Sequence, residues 1–404
     1  MKRLVICCDG TWNRSDNDNV TNIEKIARTI QTDLTRTGGV QQLVLYISGV
    51  GAGSYKVDRW LGGAFGFGLF SNVRTAYRFL ALNYEPGDEI FVFGFSRGAY
   101  TARSLVGMVA RVGLLTRTAL VADKLPEAVN RYRRTSPRGR AFGESDAEFK
   151  HDHCHPDTPV AFLGVFDTVG ALGVPGAVRR GHQFHDIKLS RAVLCARQAL
   201  AIDEHRMTFE PCLWQVDAES ADPPDRVKQV WFEGVHSDVG GGYPETGLSD
   251  TTLLWMAGEA NRQGLVFDEE LLGTYVASGK SAVRHSSMNL LYRTLNLKRL
   301  VVARFGRKNP AFEGSFRQLS TPTCNGVLVA ASAAAHYRDG EDYRPTNLAL
   351  LSKQTNEFEG VREPVIALPE PSIAVVHQLL ARQGVDLGSA KEEVGRVPTP
   401  GLVS

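Results

Sequence analysis

Strong charge of one sign is missing from this chain: 46 Lys and Arg stand against 44 Asp and Glu, a formal net charge of +2. Nucleic-acid binding draws on a strong positive field, so nothing global points to that class of partner. No apolar run approaches the roughly 18 residues that a membrane-crossing helix needs. Met1-Lys2-Arg3 followed by Leu4-Val5-Ile6-Cys7-Cys8 starts like a secretory leader, but Asp9 ends the apolar run too early. Cys-x-x-Cys spacing is absent. The six thiols (Cys7, Cys8, Cys154, Cys195, Cys212 and Cys324) read as reduced cysteines of a cytoplasmic protein rather than a disulfide framework. Export is then open only to a secretion system that reads no leader. A Gly-x-x-x-x-Gly-Lys-Ser/Thr phosphate loop is also missing, as are internal repeats and any linker before residue 389.

What is present is an ordinary globular composition, 43% hydrophobic and 22% charged, with length for one large α/β domain or two. Short continuous apolar runs predict buried strands at 4–8, 42–50, 160–166 and 227–235, a further one from residue 90 into Gly94, and a shorter one at 209–214. Helical spacing predicts helices at 22–34, 72–82, 99–112, 125–134, 189–202, 252–263, 285–295, 327–335 and 372–382. The pattern is that of an α/β fold, a mostly parallel central sheet flanked by helices. A single domain is expected over residues 1–388, with 267–364 a candidate helical cap and 389–404 a disordered tail.

The chemistry gathers where apolar runs end. Gly94-Phe95-Ser96-Arg97-Gly98 lies between a buried strand and a helix, the setting a nucleophile elbow requires. The turn lifts the Ser96 hydroxyl above the sheet edge, near a helix N-terminus that favours developing negative charge. Asp167 follows the run at 160–166, and His236 follows the run at 227–235. The order Ser96, Asp167, His236, each at a strand end, is that of α/β-hydrolases and not of chymotrypsin or subtilisin. The backbone amide of Arg97 is the candidate first oxyanion donor, with Gly10 or Thr11 as the second. The alternative for Asp9-Gly10-Thr11 is an Asx-type turn that caps the first strand. Asp238, two residues past His236, is a supporting or alternative acid, as is Asp9; strand anchorage favours Asp167.

Three other features compete for a role. The glycine-rich aromatic stretch at 62–70 reads as an apolar wall or lid, or as tight packing on the sheet. Arg131, Arg133, Arg134, Arg138 and Arg140 form either a solvated surface or a peripheral contact with anionic lipid head groups. His151-Asp152-His153-Cys154-His155-Pro156-Asp157 looks like a metal site, and a metal-assisted hydrolase is one alternative reading. On one extended segment, however, alternate ligands point to opposite faces, and the spacing matches no usual zinc pattern. The expectation is no metal and no cofactor. The other alternative is a catalytically silent binding module of the same fold.

Five stretches in order resemble one family. They are Asp9-Gly10-Thr11-Trp12-Asn13, Gly94-Phe95-Ser96-Arg97-Gly98-Ala99, Phe166-Asp167-Thr168-Val169, Asp203-Glu204-His205-Arg206 and Gly234-Val235-His236-Ser237-Asp238-Val239-Gly240-Gly241. The family is the α/β-hydrolase family that contains the catalytic domain of the first class of type VI secretion phospholipase effectors. The resemblance runs over about residues 1–350. It implies an α/β-hydrolase fold, a Ser96–Asp167–His236 triad and, for the effectors, hydrolysis of glycerophospholipid acyl esters. The expectation is therefore a serine ester hydrolase of lipase or phospholipase type, working on an acyl ester or phospholipid through an acyl-enzyme.

Overall fold

The computed structural model describes residues 1–10, 19–49, 62–134, 143–169, 189–215, 223, 225–276, 282–288, 292–297, 312–313, 316–319, 327–340, 342–355 and 360–361. Strands β1 (Lys2–Cys8), β2 (Gln41–Ile47), β3 (Glu89–Phe95), β4 (Val160–Phe166), β5 (Ala196–Ala201) and β6 (Val227–Phe232) form the middle and one edge of an eight-stranded sheet. A two-strand hairpin, β7 (Phe312–Glu313) and β8 (Phe316–Arg317), stands apart, and β9 (Leu328–Ala330) and β10 (Gly360–Val361) complete the sheet. Its order is β10-β9-β6-β5-β4-β3-β1-β2, and every neighbouring pair is parallel.

The central strands are apolar at nearly every position because both faces are covered. Alternate side chains of one strand enter different cores. Val5, Cys7, Phe91, Phe93, Phe162 and Phe166 pack on one side, where helix α1 (Asn22–Thr29) places Ile23 and Ile26. Leu4, Ile6, Ile90, Val92, Leu163 and Val165 pack on the other. There helix α2 (Gly62–Asn83) contributes Val73, Ala76 and Leu80, and helix α3 (Arg97–Val112) contributes Ala102 and Leu105. Truncating a buried Phe such as Phe93 to Ala removes about 3–5 kcal/mol of such packing.

The topology places the site. The chain leaves β1, adds β2 on one side, and returns to add β3 on the other. Loops leaving the carboxyl ends of β1 and β3 therefore diverge and open a crevice, the usual ligand position in an open α/β sheet. Asp9-Gly10 and Ser96 stand at those two ends.

Helices α4 (Arg117–Val121), α5 (Leu125–Arg134) and α6 (Glu144–His153) follow α3. A single turn, α7 (His236–Gly240), and the long α8 (Gly247–Arg262) follow β6, then α9 (Glu269–Val276). Residues 292–297 form α10, and α11 (Ala331–Asp339) and α12 (Thr346–Thr355) close the described chain. Within 267–364 the chain thus supplies helices and also the strands β9 and β10. Among the described residues no helix is long and apolar enough to cross a membrane.

Several expected elements differ. The helix expected at 189–202 is largely strand β5, whose six residues are all buried between β4 and β6. An alanine-rich apolar run suits either element, and sheet pairing decided it. The stretch at 62–70, expected as a loop, opens helix α2. Glycine costs a helix about 1 kcal/mol each, and packing of the remaining turns against the sheet outweighs that. The helix expected at 327–335 is split into β9 and α11. Helix α1 ends at Thr29, because Ile30 forms a bridge with Phe267. Residues 209–214 form no strand, only a bridge between Pro211 and Val169, and helix in the 285–295 region begins at 292. Helix α8 begins at Gly247, before the expected 252. The expected helix at 372–382 and the tail at 389–404 lie outside the described residues.

Candidate active site

Ser96 joins β3 to α3 with φ 56° and ψ −120°. A side chain rarely adopts positive φ, and such strain persists only where surroundings impose it. Here the two flanking glycines do so. A Cβ on Gly94 would lie 2.6 Å from the Ala99 Cα, and one on Gly98 would collide with the carbonyl oxygens of Cys8 and Asp9. Only glycine lets the start of α3 press against the end of β1. The Ser96 amide donates to Phe166 O at 3.1 Å, which fixes the elbow to the end of β4. The side chain makes no capping bond to α3, so its hydroxyl is not engaged by the helix.

Asp167 is the residue after Phe166 and also has positive φ, 37°. Its amide donates to Ala199 O at 2.7 Å, which ties this turn to β5. Its carboxylate is fully buried. Oδ2 lies 2.6 Å from His236 Nδ1, and Oδ1 accepts from the Ala201 amide at 3.1 Å. Arg317 approaches the same carboxylate with both ends of its fork, Nη1 to Oδ1 at 2.7 Å and Nη2 to Oδ2 at 3.1 Å. Burial by itself pushes the Asp167 carboxyl up. The Arg317 charge and the His236 bond overcome this and hold it well below the usual carboxylate range.

His236 opens the α7 turn and is 5% exposed. Its ring lies 4.7 Å from the Phe95 ring and edge-on to Phe209 at 5.0 Å. Phe95 immediately precedes Ser96, so one aromatic contact links the histidine turn to the elbow. A side chain at Gly240 would collide with that same Phe95 ring. Burial lowers the His236 pKa, opposed by Asp167, so the ring is neutral around neutral pH. An ionised Asp167 only accepts, so Nδ1 carries the proton and donates, leaving Nε2 as the basic nitrogen. Among the described residues Nε2 makes no hydrogen bond.

Asp238 engages different partners. Its Oδ2 accepts from the Val235 amide at 2.9 Å and the His285 amide at 3.2 Å, and Oδ1 pairs with His285 Nδ1 at 2.6 Å. The other His285 nitrogen meets Glu245 at 3.2 Å, and the ring stacks on Tyr243 at 3.9 Å. Asp9 accepts from the Gly10 amide at 2.6 Å, Thr21 Oγ1 at 2.6 Å and Tyr46 OH at 2.7 Å. The Gly10 amide is thus held by its neighbour's carboxylate, whereas an Asx turn would bond the amide two residues on, that of Thr11. Thr11 lies outside the described residues. Arg97 is the first residue of α3. Burial lowers the Arg97 side chain to about 10.

The histidine-rich stretch does not converge. His151 and His153 lie in the last turn of α6 rather than on an extended segment. His151 pairs with Asp152 at 2.9 Å, His153 packs on Phe149, and His155 packs on Tyr84. No group of three or more His, Cys, Asp or Glu able to hold a metal occurs among the described residues. In the basic segment, Arg131 is paired with Glu127 at 2.9 Å and Asp146 at 2.5 Å and lies over Phe149. Arg138 and Arg140 lie outside the described residues.

Sequence reasoning missed Arg317 and His285. Arg317 is 150 positions from Asp167, and a lone arginine carries no local signal of such a partner. Glu204 and Arg206 belong to a motif quoted above, but their arrangement emerges only here. Glu204 accepts from the His236 amide at 3.3 Å and from Arg206 Nη2 at 2.7 Å, and Arg206 covers the Phe209 ring at 3.6 Å.

The model of the family described as "T6SS, Phospholipase effector Tle1-like, catalytic domain" matches residues 2–259. The uncharacterized protein YEL023C of Saccharomyces cerevisiae is 28% identical over 232 residues, 52% of this chain and 32% of that protein. The chain therefore matches about a third of that relative's length. Two solved structures are similar at 15% identity. One, an uncharacterized protein from Pseudomonas aeruginosa, has a TM-score of 0.35, covering 95% of this chain and 62% of that one. The other, the Tle1 effector bound to the VgrG spike from the type 6 secretion system, has a TM-score of 0.38, covering 79% and 84%.

Proposed function

The chain belongs to the Tle1-like phospholipase-effector catalytic-domain family, and from that premise we propose that it is a serine hydrolase of acyl esters, with phospholipids or lysophospholipids among its substrates. The observation that carries the reading is the buried His236–Asp167 pair, 2.6 Å apart, with the His236 ring packed on Phe95, the residue before a serine on a strained, glycine-flanked elbow. His236 Nε2 takes the Ser96 proton as Oγ attacks the acyl carbonyl. Asp167 holds the Nδ1–H tautomer and stabilises the imidazolium that forms. The Arg97 amide donates to the tetrahedral oxyanion, and a second amide from the loop after β1 completes the hole. Removing one such donor typically costs about 100- to 1,000-fold in rate. The imidazolium protonates the departing alcohol, and water activated by the same histidine releases the acyl group from Ser96. Family membership makes export by a leader-independent secretion route part of the proposal.

The test has two arms. Intact-mass analysis after fluorophosphonate treatment should show one adduct on the wild type and none on Ser96→Ala; an adduct on both removes Ser96 as nucleophile. Phospholipids, lysophospholipids and short soluble esters are then compared in chelator-containing buffer. Turnover of the short esters alone removes the lipid assignment, and loss of all turnover on chelation removes the serine mechanism.

A further inference from the structure

The mechanism above leaves Arg317 unused, although it is the only cation bonded to the Asp167 carboxylate among the described residues. We propose that Arg317 is a positioning residue of the triad: its guanidinium keeps Asp167 ionised and aimed at His236, and so sets the pH below which His236 ceases to act as a base. The proposal rests on the serine-hydrolase reading of Ser96, Asp167 and His236.

Both partners of the Arg317–Asp167 pair are fully buried. The two-pronged contact fixes the plane of the carboxylate as well as its charge. Two further bonds fix the fork itself, from Nη1 to Ala201 O at 3.0 Å and from Nη2 to Phe209 O at 2.6 Å. The Arg317 carbonyl accepts from Asn347 at 3.3 Å, which holds β8 in place. This arginine therefore ties the hairpin, the end of β5 and the Phe209 segment to one carboxylate. It also lies beyond residue 259, where the family match ends, so among the described residues the cation bonded to Asp167 comes from outside the matched region.

Asp203, less buried than Asp167, shows what burial does to a carboxyl to which no cation is bonded among the described residues. It sits just past β5, accepts from the Gly234 amide and Tyr343 OH, and is pushed up by burial to about 7. An Asp167 in that condition would take up a proton and lose its hold on the imidazolium. Other charged groups facing the pair are Glu204 and Arg206, ion-paired to each other at 2.7 Å. The Cys212 thiol, pushed up to about 12 by burial, stays neutral. Substitution at 317 leaves these in place.

With Arg317 gone, one positive charge fewer faces the Asp167–His236 pair, which holds its proton to higher pH whichever residue carries it. The experiment follows fluorophosphonate labelling of Ser96 against pH, per folded molecule, for wild type, Arg317→Lys and Arg317→Gln. The acid limb should rise by about one pH unit in Arg317→Gln, or about tenfold slower labelling along that limb. Arg317→Lys should rise less, because an ammonium keeps the charge but not the fork. If Arg317→Gln does not fold, Arg317→Lys is judged by the same criterion. A purely structural role lowers the melting temperature and leaves the limb where it was, and that result in a folded variant overturns the proposal. Absence of wild-type labelling, or labelling that persists in Ser96→Ala, instead removes the triad reading itself, and this proposal with it.

Discussion

Two histidine–aspartate pairs meet at the α7 turn, and both close at 2.6 Å. Distance alone would make them equivalents. In the first, Asp167 comes from a strand end, is wholly buried and is backed by Arg317, and the second nitrogen of His236 makes no bond among the described residues. In the second, Asp238 comes from the same short turn it braces, His285 is 20% exposed, and its second nitrogen is already held by Glu245. On the proposed reading the first pair passes a proton and the second acts as a clasp. Surroundings decide the role of such a pair, and the residue types do not.

The sharpest way to break that distinction is to remove each acid in turn. Asp167→Asn should lower turnover about 10⁴-fold, since an amide can favour the wrong imidazole tautomer. Circular dichroism must show a folded protein, because Arg317 is then left buried without its carboxylate. Asp238→Asn should cost only about 2- to 5-fold, acting through a partly exposed hydrogen-bonded pair that secures the turn. If the two variants exchange these effects, the clasp and the catalytic pair have been misassigned.

A smaller effect separates Asp167 from Asp203, which titrate in opposite senses. Asp203 keeps its proton in the folded state up to about 7, against an ordinary value of 3.8. Its contribution to stability is full below the ordinary value and is lost as pH rises through about 7. Asp167 is held below its ordinary value, so its contribution is present above that value and disappears on acidification. Denaturant unfolding between pH 5 and pH 8 should show a decline of at most about 1.4 kcal/mol per pH unit from Asp203, and Asp203→Asn should flatten it. An unchanged slope in Asp203→Asn would show that this carboxyl is ionised throughout.

Much of the sheet was legible because its inner strands are short apolar runs with both faces covered. The runs beginning at Leu4, Ile90, Val160 and Val227 announce β1, β3, β4 and β6 directly. The three candidate residues Ser96, Asp167 and His236 could be named because each follows closely on such a run. β5 was misread, since Ala196 to Ala201 has no periodicity that separates a buried strand from a buried helix. The start of α2 was misread because its glycines carry loop chemistry into a segment that is helical.

By itself, then, the sequence determined the elements whose pattern is local: buried runs, the glycines that permit the elbow, and the positions that follow strands. Tertiary structure alone decided that Asp238 meets His285, that Gly10 is held by Asp9, and that an arginine 150 positions away completes the Asp167 environment. Local patterns reflect the conformational preferences of a few consecutive residues. Pairing across the sheet depends on strand order and on what burial demands of each charge, and neither is written in any short stretch of the chain.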